Sequence, residues 1–236
     1  MKSASAKPAV STKKKVRASF RLENELHAEG FARVAGVDEV GRGAWAGPLV
    51  AAAVILPPDL KIGAIFESKL LTAPERAELA GLIKEKALGF GIGAATPREI
   101  IKRGMTYALQ LAYVRALEQL ESRPDMVLLD GRLLKEFSYE HRAVVGGDRK
   151  SKCIAAASVV AKEYRDTLMI KLSATYPEYA FHEHKGYGTV KHQRAILDHG
   201  VLPLHRTSFK WFTERRAQLL EYDKGGSLSN RTSLLV

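Results

Sequence analysis

Four acidic residues stand where apolar segments stop. Asp38 and Glu39 end an apolar run and are followed at once by Gly41-Arg42-Gly43. Asp130 closes Met126-Val127-Leu128-Leu129 and precedes Gly131, and Asp148 follows Gly146-Gly147. Singly, each acid reads equally well as a turn former or a solvated strand end. Neighbours on a strand point to opposite faces. Asp38 and Glu39 therefore share a site only if the chain bends there or they reach it from different directions. Jointly, four carboxylates at adjoining strand ends would repel one another strongly without a cation. Oxygen ligands suit a hard divalent ion, Mg²⁺ or Mn²⁺. The glycine-framed arginine of residues 41–43 forms a loop whose backbone amides can approach a ligand closely.

The elements that must position these groups are readable from pattern. Arg33 to Val40 and Leu49 to Leu56 read as strands, joined through Gly41, Gly43, Gly47 and Pro48 into an antiparallel hairpin. Thr72-Ala73-Pro74-Glu75 is a capping box, which predicts a helix from Ala73 to Lys86. Leu88 to Ala95 reads as a third strand, weakened by its glycines. Thr96-Pro97-Arg98-Glu99 repeats the capping box. The helix it starts runs to Leu120, with Leu109, Ala112, Ala116 and Leu120 on one stripe and Gly104 as a possible kink. Met126 to Leu129 predicts a buried central strand and Arg142 to Val145 another short one. Ser151 to Tyr176 predicts the longest helix, whose Ala155-Ala156-Ala157-Ser158 segment admits a close neighbour. Thr189 to His199 is a helix stopped by Gly200, and Ser208 to Tyr222 is the last. A hairpin followed by alternating strands and helices implies an α/β fold, a mixed sheet with helices against it.

Composition narrows the class. The chain has 236 residues, ample for a packed core, and 46% of them are hydrophobic. Its longest apolar run, Leu49 to Leu56, is far short of a membrane span. The single cysteine, Cys153, excludes an internal disulfide and a Cys-cluster zinc site, and favours a reducing, cytoplasmic setting. The net charge is +11, yet seven Lys or Arg and no acid fall within residues 1–22. Taking those seven from 37 leaves 30 basic residues against 26 acidic ones in the remainder. A polyanionic partner fits this charge, and so does a solubilising tail. No apolar segment of the secretory type follows the basic start. Residues 1–17 read as a disordered basic extension, 18–222 as the folded domain and 223–236 as a flexible tail.

Ala35-Gly36-Val37-Asp38-Glu39-Val40-Gly41-Arg42-Gly43 resembles the signature of ribonuclease HII, the type 2 ribonuclease H family. Five further segments resemble that family's elements in the same order: Glu67-Ser68-Lys69, Leu129-Asp130-Gly131, Gly147-Asp148 with the Ala155-to-Lys162 helix, His184-Lys185-Gly186-Tyr187-Gly188-Thr189, and His205-Arg206-Thr207-Ser208-Phe209. Departures are Ala44-Trp45-Ala46 in place of a proline-containing segment, Glu67 for Asp, Leu70 for Lys, and Arg132 for Asn.

The resemblance implies a ribonuclease H-like mixed five-stranded sheet flanked by helices, with a small helical C-terminal region. It implies a monomer that cleaves the RNA strand of RNA–DNA hybrids and incises 5′ to single ribonucleotides in duplex DNA, leaving 3′-hydroxyl and 5′-phosphate ends. By motif position Asp38, Glu39, Asp130 and Asp148 are the catalytic and metal-binding acids, serving two Mg²⁺ or Mn²⁺ ions. Gly41, Arg42 and Gly43 would recognise the 2′-hydroxyl region, and Tyr187 would stack on the following sugar. Ser68, Lys69, Lys162 and Lys185 would contact backbone phosphates. Two other readings remain at this stage: a different metal-dependent nuclease or phosphohydrolase, and a nucleic-acid-binding module. The remaining features read as ordinary structure. Arg165 and Asp166 form a surface ion pair, while Cys153, Phe209, Trp211 and Phe212 serve packing. His182, His184 and His192 fit a nucleic-acid-facing loop better than a zinc site.

Overall fold

The computed structural model describes residues 18–58, 60–61, 68, 71–217 and 219. The expected basic extension, the expected tail, and Glu67, Lys69 and Leu70 lie outside the described residues. The strands are β1 (Val34–Val40), β2 (Leu49–Ile55), β3 (Gly89–Ala95), β4 (Met126–Asp130) and β5 (His141–Val144). They form one sheet in the order β3-β2-β1-β4-β5. β1 pairs antiparallel with β2 and parallel with β4, β2 pairs antiparallel with β3, and β5 joins β4 in parallel. This is the mixed five-stranded sheet expected.

The helices are α1 (Arg21–Ala28), α2 (Ala73–Lys86), α3 (Pro97–Glu118), α4 (Lys152–Thr175), α5 (Phe181–His184), α6 (Val190–His199) and α7 (Lys210–Glu214). Both capping boxes form: Thr72 accepts from Glu75 N and Thr96 from Glu99 N, and each glutamate caps its threonine in return. Gly104 breaks the helical backbone of α3 with φ 81°. α3 covers one face of the sheet, against Ala35, Val37, Ala51, Ala53, Val127 and Leu129. The Ala155-to-Ala161 stretch of α4, with Ala80 and Ile83 of α2, covers Val50, Ala52 and Val54 on the other. Layers on both faces explain why β2 is buried at every position and reads as one apolar run. Among the described residues no helix is long and apolar enough to cross a membrane.

Three features differ from expectation. α1 was not expected: its N-cap, Phe20, makes no side-chain cap. It brings Glu23, 1% exposed, to the start of α4, where Oε1 accepts from Ser151 Oγ at 2.6 Å and Cys153 N at 2.9 Å. A carboxylate there suits the positive end of the helix. The last helix starts at Lys210 rather than Ser208 and is regular over Lys210–Glu214, and Tyr222 lies outside the described residues. Arg165 and Asp166 are not a surface pair, since both are buried and each turns to other partners. Asp166 accepts from Arg76 Nη2 at 3.0 Å and Lys162 Nζ at 2.6 Å, whereas Arg165 binds backbone carbonyls. Phe212 and Trp211 pack as expected, in a smaller core with Phe181, Ile196 and Leu204.

The glycines that weaken the pattern of β3 have a packing reason. A Cβ on Gly93 would stand 2.2 Å from the Ala112 carbonyl oxygen, and one on Gly91 2.1 Å from that of Ala116. The backbone of α3 therefore rests directly on the strand. Gly93→Ala is expected to destabilise the protein by about 1–3 kcal/mol, the usual range for an overpacked core. A lower denaturant midpoint at unchanged slope is the measurement that checks it.

Candidate active site

β1, β4 and β5 run parallel, so their C-terminal ends meet at one edge of the sheet. β1 carries Asp38 and Glu39 to that edge, and β4 carries Asp130. A 3-10 turn just after β5, Gly147–Arg149, carries Asp148. Asp130 Oδ1 accepts from Gly147 N at 2.6 Å, which ties this turn to the end of β4. All four acids line one cleft of about 310 Å³, together with Val40, Ser68, Ser158, Lys162 and Tyr187.

The two adjacent acids reach the cleft from different directions. Ala35 and Val37 face α3, and Glu39 continues that side, where its Oε2 accepts from the hydroxyl of Tyr113. Asp38 faces α4 and is hydrogen-bonded by the side chain of Ser158. Its Oδ1 also accepts from Glu39 N at 2.8 Å. No bulge is needed, because the edge of the sheet is open to both faces.

The electrostatics are strained. Burial, then the charges of Glu39 and Asp130, push the Asp38 carboxyl well above its usual range, while Ser158 pulls it back. Burial also raises Glu39, against the Tyr113 hydroxyl and the more distant Arg42, 3.8 Å away. Burial and then Glu39 raise the Tyr113 phenol, so it remains a donor. The donor set is all oxygen, and its charges are incompletely balanced by the protein. Both properties fit a hard divalent cation, which would favour the ionised carboxylates. Among the described residues, no three His, Cys, Asp or Glu side chains already stand as a closed set of metal ligands. The acids frame a shared space instead.

The other sequence-predicted residues divide. Tyr187 lines the cleft and is partly exposed, and a Cβ on Gly43 would stand 4.0 Å from its ring. Gly41, Arg42 and Gly43 follow Glu39 after Val40, with the Arg42 side chain exposed. Ser68 reaches the cleft but is nearly buried, 3.0 Å from Ser158 Oγ. Lys162 also lines it, with Nζ held by both oxygens of Asp166. Lys185 does not join the group, because its ammonium turns back to the carbonyl of His182.

Several contributing residues escaped the sequence reading. Tyr113 is the one hydroxyl amid the apolar stripe of α3, which was a usable signal. Ser158 similarly ends an alanine run. One histidine reading is corrected: His192, expected on a nucleic-acid-facing loop, is buried, beside the equally buried His205. His205 Nδ1 accepts from Leu202 N at 2.8 Å, so its Nε2–H donates to His192 Nε2 at 3.1 Å. The remaining His192 Nδ1–H then donates to the Tyr187 carbonyl at 3.0 Å. This chain of neutral rings supports the backbone of Tyr187 from below.

Comparison with known proteins adds independent findings. The sequence profile of the family described as Ribonuclease HII matches residues 35–212. A ribonuclease HII of Desulfitobacterium hafniense is 43% identical over 195 residues, covering 83% of this chain and 75% of that protein. One of Thermotoga maritima is 48% identical over 187 residues, covering 79% of this chain and 77% of that protein. Among solved structures, the ribonuclease H2 of Pyrococcus horikoshii OT3 aligns with a TM-score of 0.69 and 24% identity, over 81% of this chain and 99% of that one. That last likeness speaks for the fold.

The histidine chain predicts a pH response. Burial and the neighbouring His192 push His205 down to about 3, and burial with His184 pushes His192 down to about 4. The unfolded chain protonates both near the ordinary value of about 6.5. It therefore binds more protons than the fold between those limits. The contribution of these rings is complete above about pH 6.5 and is lost progressively as pH falls toward 3–4. Asp38 and Glu39, being raised, act in the opposite sense, so the check must be specific to histidine. In a ring-proton NMR titration, His192 and His205 are expected to stay neutral down to about pH 5. Titration of either ring near 6.5 would contradict the buried, neutral chain.

Proposed function

This chain belongs to the ribonuclease HII family and is a type 2 ribonuclease H, an endonuclease acting on RNA–DNA hybrids; on that premise we propose that the cleft at the sheet edge is its active site. We propose further that it incises duplex DNA on the 5′ side of a single embedded ribonucleotide, leaving 3′-hydroxyl and 5′-phosphate ends. The observation that carries this reading is the meeting of four carboxylates from three parallel strand ends with Tyr187 in one cleft.

Asp38, Glu39, Asp130 and Asp148 would hold the metal. Bound there, two Mg²⁺ or Mn²⁺ ions would supply Lewis-acid stabilisation of the entering and leaving oxygens in phosphodiester hydrolysis. The protein's own part is positional. Tyr113 and Ser158 fix the carboxylates of Glu39 and Asp38 from opposite faces, so neither has to reorganise when substrate arrives. Asp130 orders the turn that presents Asp148. The amides of the Gly41-to-Gly43 loop contact the 2′-hydroxyl, the group that separates RNA from DNA locally. The Tyr187 ring takes the adjoining deoxyribose, where a second 2′-hydroxyl would crowd it. Lys162 faces the phosphate path at the rim.

Asp38→Asn and Asp130→Asn keep side-chain size and remove a charged ligand. Each is expected to lower the cleavage rate at least about a hundredfold, the scale of a missing electrostatic stabiliser. Cleavage of a duplex carrying one ribonucleotide, with the product ends mapped, is the assay. Near-normal rates would remove these acids from the mechanism, and indifference to the ribonucleotide would overturn the substrate reading. Tyr187→Ala is expected to impair junction cleavage more than cleavage of a continuous hybrid, since one stacking contact contributes about 1–3 kcal/mol. Equal losses on both substrates would make Tyr187 structural.

A further inference from the structure

Beneath the Gly41-to-Gly43 loop lie two guanidinium groups with no exposure at all, those of Arg165 and Arg206. Among the described residues neither forms an ion pair. Their partners are backbone carbonyls, concentrated on one segment. Arg206 donates to the oxygens of Gly41 at 2.6 Å, Arg42 at 3.2 Å and Gly47 at 3.0 Å. Arg165 donates to those of Ala46 at 3.1 Å, Pro48 at 3.0 Å and Lys185 at 2.9 Å. Burying a cation is strongly unfavourable unless such bonds offset it. Here every named bond goes to the turn between β1 and β2 or to the backbone beside Tyr187.

The direction of those bonds has a consequence for the loop's other face. In a trans peptide unit the C=O and the following N–H point in opposite directions. Arg206 draws the Gly41 and Arg42 carbonyls inward, so the amides of Arg42 and Gly43 are turned outward. Gly41 makes this approach possible. Its φ is +87°, and a Cβ there would lie 2.1 Å from Arg165 Nε. Any side chain at that position would push the guanidinium away.

We propose that Arg165 and Arg206 are positioning residues for ribonucleotide recognition: by holding the inner carbonyls of the 41–48 turn, they aim the amides of Arg42 and Gly43 at the 2′-hydroxyl. The proposal rests on the substrate reading above. It assigns to Arg206, in the closing His205-to-Phe209 motif, a task distant in sequence from the loop it serves. Arg165 couples the same turn to Lys185 and hence to the strip carrying Tyr187.

The test uses the full chain and the variants Arg206→Lys, Arg206→Gln and Arg165→Lys, none of which can span three carbonyls. Binding to duplex DNA with one ribonucleotide, and to the same duplex without it, is measured by fluorescence anisotropy in EDTA, so that no cleavage occurs. Thermal melts are recorded in parallel. Expected is a folded variant whose preference for the ribonucleotide duplex falls at least about tenfold, with affinity for the all-DNA duplex unchanged. Folded variants that keep the wild-type preference would overturn the proposal. So would equal losses on both duplexes, or failure of all three variants to fold, since the pair would then serve the fold alone. If the wild-type protein itself shows no preference, the substrate reading fails and takes the proposal with it. That outcome is distinct from a preference that survives substitution.

Discussion

Negative charge crowded where three parallel strands end is the constraint around which this molecule is arranged. Asp38 and Glu39 are held largely out of water and close to Asp130, which opposes their ionisation. A sheet edge alone could not hold them still. Each carboxylate needs a donor from its own side, and the two helical layers provide one each, Tyr113 from α3 and Ser158 from α4. The layered fold is thus part of the site's electrostatics. Folding alone leaves the repulsion incompletely relieved, which is the condition under which a cation contributes most.

A second layer of organisation is built on backbone acceptors. Arg165 and Arg206 bind carbonyls, and His192 and His205 pass a hydrogen bond to the carbonyl of Tyr187. Backbone acceptors are fixed in place once the chain folds. Holding them sets the attitude of the peptide planes next to the cleft more firmly than a flexible side-chain pair would.

Much of this was legible in the sequence because local chemistry and long-range packing agreed. The capping boxes at Thr72 and Thr96 start helices as written, and the apolar runs of β1, β2 and β4 became the buried strands of the sheet. The acids were legible as strand-end residues, yet their approach from both faces followed only from the sheet register. What stayed hidden depended on partners far along the chain. Adjacent Arg165 and Asp166 suggest a local pair, but their partners lie in the β1–β2 turn and on α2. α1 gave no cap signal, since its contribution is made at the start of α4 by Glu23. Lys185 belongs to a familiar motif, but its conformation is set by the turn around it, with φ 52°.

α4 gathers an unusual share of these duties on one side of one rod. Ser158 braces Asp38, Lys162 borders the cleft, Arg165 holds the turn and Asp166 anchors Lys162 to Arg76. Lying four, seven and eight residues after Ser158, the other three stay on its side of a helix with a repeat of 3.6. Inserting one residue between Ser158 and Lys162 would rotate everything downstream by about 100° relative to Ser158. No single side chain would be lost, but the brace, the rim cation and the clamp could no longer face their partners together. The helix therefore acts as a phase reference for the site, intolerant of changes in length even where it would accept changes in composition.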